Sequence, residues 1–227
     1  MNEACLQKMK ITVNQVCLGY EISGQGAPLL LLHGNGEDKH TFDAIAPRLA
    51  QNFTVYAIDS RNHGQSGKTD DFSYQAMTLD IIEFITALDL GRVQIAGFSD
   101  GAIIGLMLAM ERPELVERLA LLGVNLSPGD FTLESLEFVK ATYQQTRDPL
   151  FKLMLEQPNI TLEQAGRVAQ PALIVAGSND VFKPESFVAL AEAMPNARLV
   201  VMEGHDHGSY IIGGDALYPE LIGFLRG

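Results

Sequence analysis

The sequence predicts an α/β fold built on a mainly parallel sheet, on three observations. Short apolar stretches recur along most of the chain. They are uninterrupted rather than alternating, as in strands buried on both faces. Stretches of helical periodicity fall between them, which is the chain order of strands joined by crossover helices.

Taken in order, residues 11–22 read as a strand pair that leads through the Gly24-Gln25-Gly26 turn into residues 28–33, PLLLLH, a buried strand ended by Gly34. Residues 54–58 form the next strand. Ile81, Phe84, Ile85 and Leu88 then share one helical face at i, i+3, i+4 and i+7. Residues 92–98 read as a strand, and 102–110 as a helix apolar all round, the mark of a central helix wrapped by others. Another strand covers 119–122. From 127 to 170 the strand signal stops: Ser127-Pro128-Gly129 opens a turn, and helical segments follow at 133–143, 149–156 and 162–168. Strands at 172–175 and 199–202 flank a helix that carries Phe187, Leu190, Ala191 and Met194 on one face. The reading is a single domain over 1–227, with residues 127–170 inserted as a small helical cap over the sheet edge.

A chain of 227 residues, 47% hydrophobic, buries a sizeable core without staples. The net charge of −12 disfavours nucleic acid and anionic membrane surfaces as partners, so a small-molecule substrate is expected. Two cysteines, Cys5 and Cys17, make no disulfide framework and read as reduced thiols. Residues 1–10 lack the apolar core of a signal peptide, and no apolar run approaches the ~18 residues of a membrane span. The expected location is cytoplasmic.

Gly97-Phe98-Ser99-Asp100-Gly101 fits G-x-S-x-G between a strand and a helix, the setting of a nucleophilic serine at the tip of a sharp turn. The competing reading is a plain strand-to-helix turn. His33-Gly34-Asn35-Gly36 follows the first buried strand. Acyl transfer needs backbone N–H groups aimed at the developing oxyanion, and Asn35 and Asp100, the residue after the serine, are the candidates. Asp180 ends a buried strand at Ala176-Gly177-Ser178-Asn179-Asp180, where it serves either as a turn residue or as the carboxylate that orients an imidazole. His205 and His207 flank Asp206 after the last strand. A metal reading of this loop lacks a second ligand cluster, so no metal is expected. Ser99, Asp180 and His207 follow one another in the order Ser…Asp…His, each just after a strand.

With these motifs in place the chain resembles the α/β-hydrolase family over nearly its whole length, through LLLLHGNG (29–36), DSRNHGQSG (59–67), GFSDG (97–101), PALIVAGSNDVF (171–182) and EGHDHGSY (203–210). The resemblance implies the α/β-hydrolase fold, Ser99 as nucleophile, Asp180 as acid and His207 as base, the last because Gly204 and His207 match a G-x-x-H pattern that His205 does not. It implies the amides of Asn35 and Asp100 as oxyanion hole. It treats Asp59, Arg61, Gly64 and Ser66 as a structural turn, and a serine nucleophile sets the chain apart from the haloalkane dehalogenase and dienelactone hydrolase branches. Asp100 itself suggests either a cationic substrate or a carboxylate placed at a helix N-terminus.

The expected activity is hydrolysis of a small carboxylic ester through an acyl-enzyme, without cofactor. Phe131, Tyr143 and Met154 of the cap are expected at the substrate pocket. Other chemistries open to the same triad are C–C cleavage, amide or lactone hydrolysis and perhydrolysis. A binding protein that keeps the fold and turns over little is the reading from another class.

Overall fold

Successive side chains of a strand point to opposite faces, and β3 (Ala27–Leu32) shows the result. Leu30 and Leu32 enter one core and Leu29 and Leu31 the other, all four fully buried. The computed structural model describes residues 7–227. Cys5 lies outside the described residues, and Cys17 is a free, half-buried thiol.

Among the described residues the sheet has eight strands in the order β1-β2-β4-β3-β5-β6-β7-β8. β1 (Gln7–Val13) and β2 (Val16–Ser23) form a hairpin through Asn14 and Gln15, both at positive φ as a tight two-residue hairpin turn requires. β2 lies antiparallel to β4 (Phe53–Ile58). From β4 onward, through β3, β5 (Val93–Phe98), β6 (Val116–Leu122), β7 (Ala172–Asn179) and β8 (Ala197–Asp206), neighbours run parallel. The parallel sheet flanked by helices is the α/β-hydrolase fold expected from the sequence.

α2 (Tyr74–Ala87), α3 (Asp100–Glu111) and α7 (Pro184–Ala193) contribute to the core on one face. α1 (Ala46–Leu49) and α8 (Tyr218–Arg226) contribute to the core on the other. α2 begins where the Ser73 hydroxyl accepts from Ala76 N at 3.2 Å. Between β6 and β7 run α4 (Leu133–Thr146), α5 (Pro149–Glu156) and α6 (Leu162–Ala165), with Thr132, Asp148 and Thr161 capping their first turns. The third of these stops sooner than the sequence periodicity suggests, at Gly166 rather than at 168. No helix among the described residues is long and apolar enough to cross a membrane.

The loop after β4 is held by buried charge. Asp59 Oδ2 accepts from Lys39 Nζ at 2.9 Å and from Gln65 N at 2.9 Å, while its Oδ1 takes Lys39 N at 2.9 Å. Burial alone would raise the Asp59 pKa, but these donors hold it below the ordinary carboxylate value. Arg61 grips Asp80 of α2 through two bonds of 2.7 and 2.6 Å, both side chains being almost wholly buried. Ser66 Oγ donates to Asp59 O and accepts from Gly19 N, so it is spent on the turn. Removing one partner of such a buried pair strands the other charge. Arg61→Ala is therefore expected to lower unfolding free energy by about 3–5 kcal/mol in denaturant titration, and a loss under about 1 kcal/mol would mean that Asp80 finds water or another donor.

Candidate functional site

The C-terminal ends of β3, β5, β7 and β8 meet at one edge of the parallel sheet and bring the candidate residues together. Ser99 stands between β5 and α3 with φ 51° and ψ −112°, a conformation side chains rarely tolerate. The turn is possible because its flanks have no side chains. A Cβ at Gly97 would fall 2.2 Å from Gly101 O, and one at Gly101 would fall 2.0 Å from Leu32 O.

His207 Nε2 lies 3.1 Å from Ser99 Oγ, and His207 Nδ1 lies 2.8 Å from Asp180 Oδ1. A carboxylate only accepts, so Nδ1 carries the proton and Nε2 is left to accept from the serine hydroxyl. Asp180 is anchored in turn by Gly177 N at 3.1 Å and Phe182 N at 3.2 Å, with its side chain 2% exposed. The imidazole is 20% exposed and packs between the rings of Phe98 and Phe182, centroids at 5.0 and 5.2 Å. Gly123, just past β6 and at φ +60°, leaves room for it, since a Cβ there would sit 2.6 Å from His207 Cε1. The loop that carries His207 is set by Asp206, whose Oδ1 accepts from Gly208 N and Ser209 N. His205 faces elsewhere, its Nδ1 3.1 Å from Ser209 Oγ.

The loop after β3 is fixed by two buried histidines. His33 Nε2 accepts from Ser60 N at 3.0 Å and its Nδ1 donates to Gly34 O. His63 Nε2 accepts from Gly36 N at 3.1 Å and its Nδ1 donates to Arg61 O. Each ring uses one nitrogen as donor and the other as acceptor, which only a neutral imidazole can do. Burial accordingly lowers both pKa values, that of His33 to about 4. Gly34 N is taken by Glu37 Oε2 at 3.0 Å. The amide of Asn35 lies between two occupied amides and, like that of Asp100, has no protein acceptor among the described residues.

Of the two parts that its sequence position suggests, Asp100 takes the one at a helix N-terminus, in the first turn of α3. Its carboxylate is buried and does not line the cavity beside Ser99. It accepts from Tyr74 Oη at 2.7 Å and from Asn35 Nδ2 at 3.1 Å. Asn35 Nδ2 also donates to Leu150 O of α5 at 3.3 Å. One carboxylate thus links α2, the loop after β3 and the helical segment above them.

A cavity of about 460 Å³ opens beside Ser99 and His207, walled by Phe131, Phe138, Val139, Phe151, Met154, Val181 and Phe182. Phe131 and Met154 fall where the sequence places them. Tyr143 does not: Val139 is the last α4 residue to reach the cavity, and Tyr143, one turn further along, meets Arg147 instead, whose Cζ stands 5.4 Å from the ring centroid. Glu37 and Glu134, which the sequence patterns do not single out, line the same cavity. Among the described residues no three His, Cys, Asp or Glu side chains gather as a metal site would require.

The chain belongs to the alpha/beta hydrolase fold family, whose profile matches residues 27–165. A second profile, that of TAP-like protein, matches residues 153–227. The chain is 32% identical over 164 residues to an uncharacterized protein of Mycobacterium tuberculosis, which covers 71% of this chain and 47% of that protein. It is 35% identical over 122 residues to the sn-1-specific diacylglycerol lipase ABHD11 of Danio rerio, covering 52% of this chain and 38% of that protein. The chain thus spans about half or less of the length of these curated relatives. Among solved structures, the enol-lactonase from Burkholderia xenovorans superposes with a TM-score of 0.81 at 22% identity, over 96% of this chain and all of the other, a likeness of fold.

Burial raises the Asp100 pKa to about 6, against the lowering effect of its bonds from Tyr74 and Asn35. An acid whose folded pKa is raised contributes stability that is present below its unfolded pKa, near 3.8, and is lost as pH rises through about 6. Asp100→Asn does not titrate. The melting temperature of this variant relative to the native chain is therefore expected to climb between pH 4 and 7; a difference independent of pH would show that Asp100 ionises as freely folded as unfolded.

Proposed function

We propose that this chain is a serine hydrolase that cleaves a small carboxylic ester through an acyl-enzyme. The observation that carries the reading is the unbroken line from Ser99 Oγ through His207 to Asp180, with contacts of 3.1 and 2.8 Å. As Ser99 Oγ attacks the carbonyl carbon, its proton passes to His207 Nε2, and Asp180 holds the imidazole in the tautomer that can receive it. The amides of Asn35 and Asp100 are the donors offered to the oxyanion of the tetrahedral intermediate, a pair in which each donor is worth on the order of 10²–10³ in rate. His207 then protonates the departing alcohol. Water enters by the reverse path and gives a proton to His207 as it attacks the acyl carbon; His207 then returns that proton to Ser99 Oγ, and the carboxylic acid is released.

The ester is favoured over other acyl bonds by the names of similar proteins, a diacylglycerol lipase and an enol-lactonase, both of which imply attack on an ester carbonyl. The apolar walls of the cavity suit the hydrocarbon part of such a substrate. Halide displacement at an elbow calls for a carboxylate nucleophile, whereas the tip here is Ser99.

The test is turnover of a panel of chromogenic esters by the native chain and two loop variants, with folding checked by circular dichroism. His207→Ala is expected to lose on the order of 10³-fold or more. His205→Ala, which removes a ring bonded to Ser209, is expected to stay within about tenfold, a barrier change of ~1.4 kcal/mol or less. The reverse pattern would move the base to His205, and a folded native chain inert towards every ester would favour a binding protein.

A further inference from the structure

The cavity beside Ser99 carries charge of one sign. Among the described residues its lining includes Glu37 and Glu134 and no lysine or arginine. Glu37 lies beside the serine. One of its oxygens, Oε2, accepts from Gly34 N at 3.0 Å and from Thr41 Oγ1 at 2.8 Å, which fixes the carboxylate on the loop after β3. From the point where a Gly34 side chain would begin, Glu37 Oε2 is 3.1 Å away and Ser99 Cβ 3.2 Å, so the carboxylate and the serine flank the same glycine.

No cation answers this charge. Glu37 forms no ion pair among the described residues. Lys39, two residues on, is buried on Asp59, and Lys183, after the cavity residue Phe182, gives its Nζ to Gly129 O. Burial lowers the pKa of His63 and raises that of Asp100, and the charge of Glu37 adds a smaller upward push to each. In an apolar recess water screens poorly, so such a charge acts on a bound ligand more strongly than it would at the surface.

We propose that Glu37 makes this site selective by charge, admitting esters whose acyl part is uncharged or cationic and rejecting those that bear a second carboxylate. This rests on the reading of Ser99 as nucleophile and names the substrate class for it. The same field acts on the product: hydrolysis converts a neutral ester into a carboxylate, which the Glu37 side of the cavity then repels.

The test uses matched p-nitrophenyl monoesters of hexanoate, ω-trimethylammonio-hexanoate and adipate, each enzymatic kcat/KM divided by that ester's spontaneous hydrolysis rate. The native chain is expected to take the neutral and cationic esters at least about tenfold better than the adipate ester, with the gap narrowing as salt is raised. Glu37→Gln keeps an oxygen for Gly34 N and Thr41 while removing the charge. It is expected to bring the three normalised rates to within about threefold of one another, whatever its absolute activity. A native chain that takes the adipate ester as well as the hexanoate ester would overturn the proposal, as would a Glu37→Gln chain with unchanged ratios. Should Glu37→Gln fail to fold, the native selectivity and its salt dependence decide alone. Loss of turnover with all three esters would instead overturn the hydrolase reading, and the charge selectivity with it.

Discussion

The close approach of the elbow to the end of β3 is the constraint on which the site depends. Gly101, in the first turn of α3, sits so tightly against Leu32 that a Cβ would fall 2.0 Å from its carbonyl oxygen. Leu32 is the last residue of β3, and the loop that begins after it bears Asn35 and Glu37. One backbone contact therefore places the serine and the loop that faces it at a set distance. The backbone at Ser99, at φ 51°, carries strain on the order of 1–3 kcal/mol. The buried C-terminal stretches of β3 and β6 on either side hold the turn in that conformation.

Around this contact lies a hydrogen-bonded polar layer. Ser60 N bonds His33, Gly36 N bonds His63, and Lys39 pairs with Asp59, so the loops after β3 and β4 are tied together at three points. On the other side, Asp100 ties the same loop to Tyr74 of α2, and Asn35 ties it to α5. The arrangement gives a physical reason for a buried carboxylate directly after the serine: it holds the Asn35 side chain and, through it, the loop whose amide is proposed as an oxyanion donor.

Most of the fold was legible in the sequence because its signals are local. Runs such as 29–32 and 93–98 are buried on both faces and read as strands from composition alone. The candidate nucleophile and the two loop histidines were legible because turn and strand-end motifs announce them. Residues whose position depends on helix length or loop path were not. Tyr143 shares the cavity-facing side of α4 in periodicity, but the cavity ends a turn earlier, and no sequence pattern marks where a cavity stops. Glu37 carries no motif of its own; its place follows from the turn that lets its carboxylate cap Gly34 N. Gly123 is equally silent, because the need for it is the imidazole of a residue far along the chain.

The central claim is that Ser99 becomes acylated. Mixing the protein with a p-nitrophenyl ester, quenching in acid within the first turnovers and weighing the intact chain tests it without reference to any variant. The account predicts a mass gain equal to the acyl group, located by peptide mapping to the segment that contains Ser99, alongside a burst of about one equivalent of p-nitrophenol. Steady turnover with no adduct and no burst, in a chain that a fluorophosphonate also fails to label at Ser99, would mean that Ser99 is not the nucleophile.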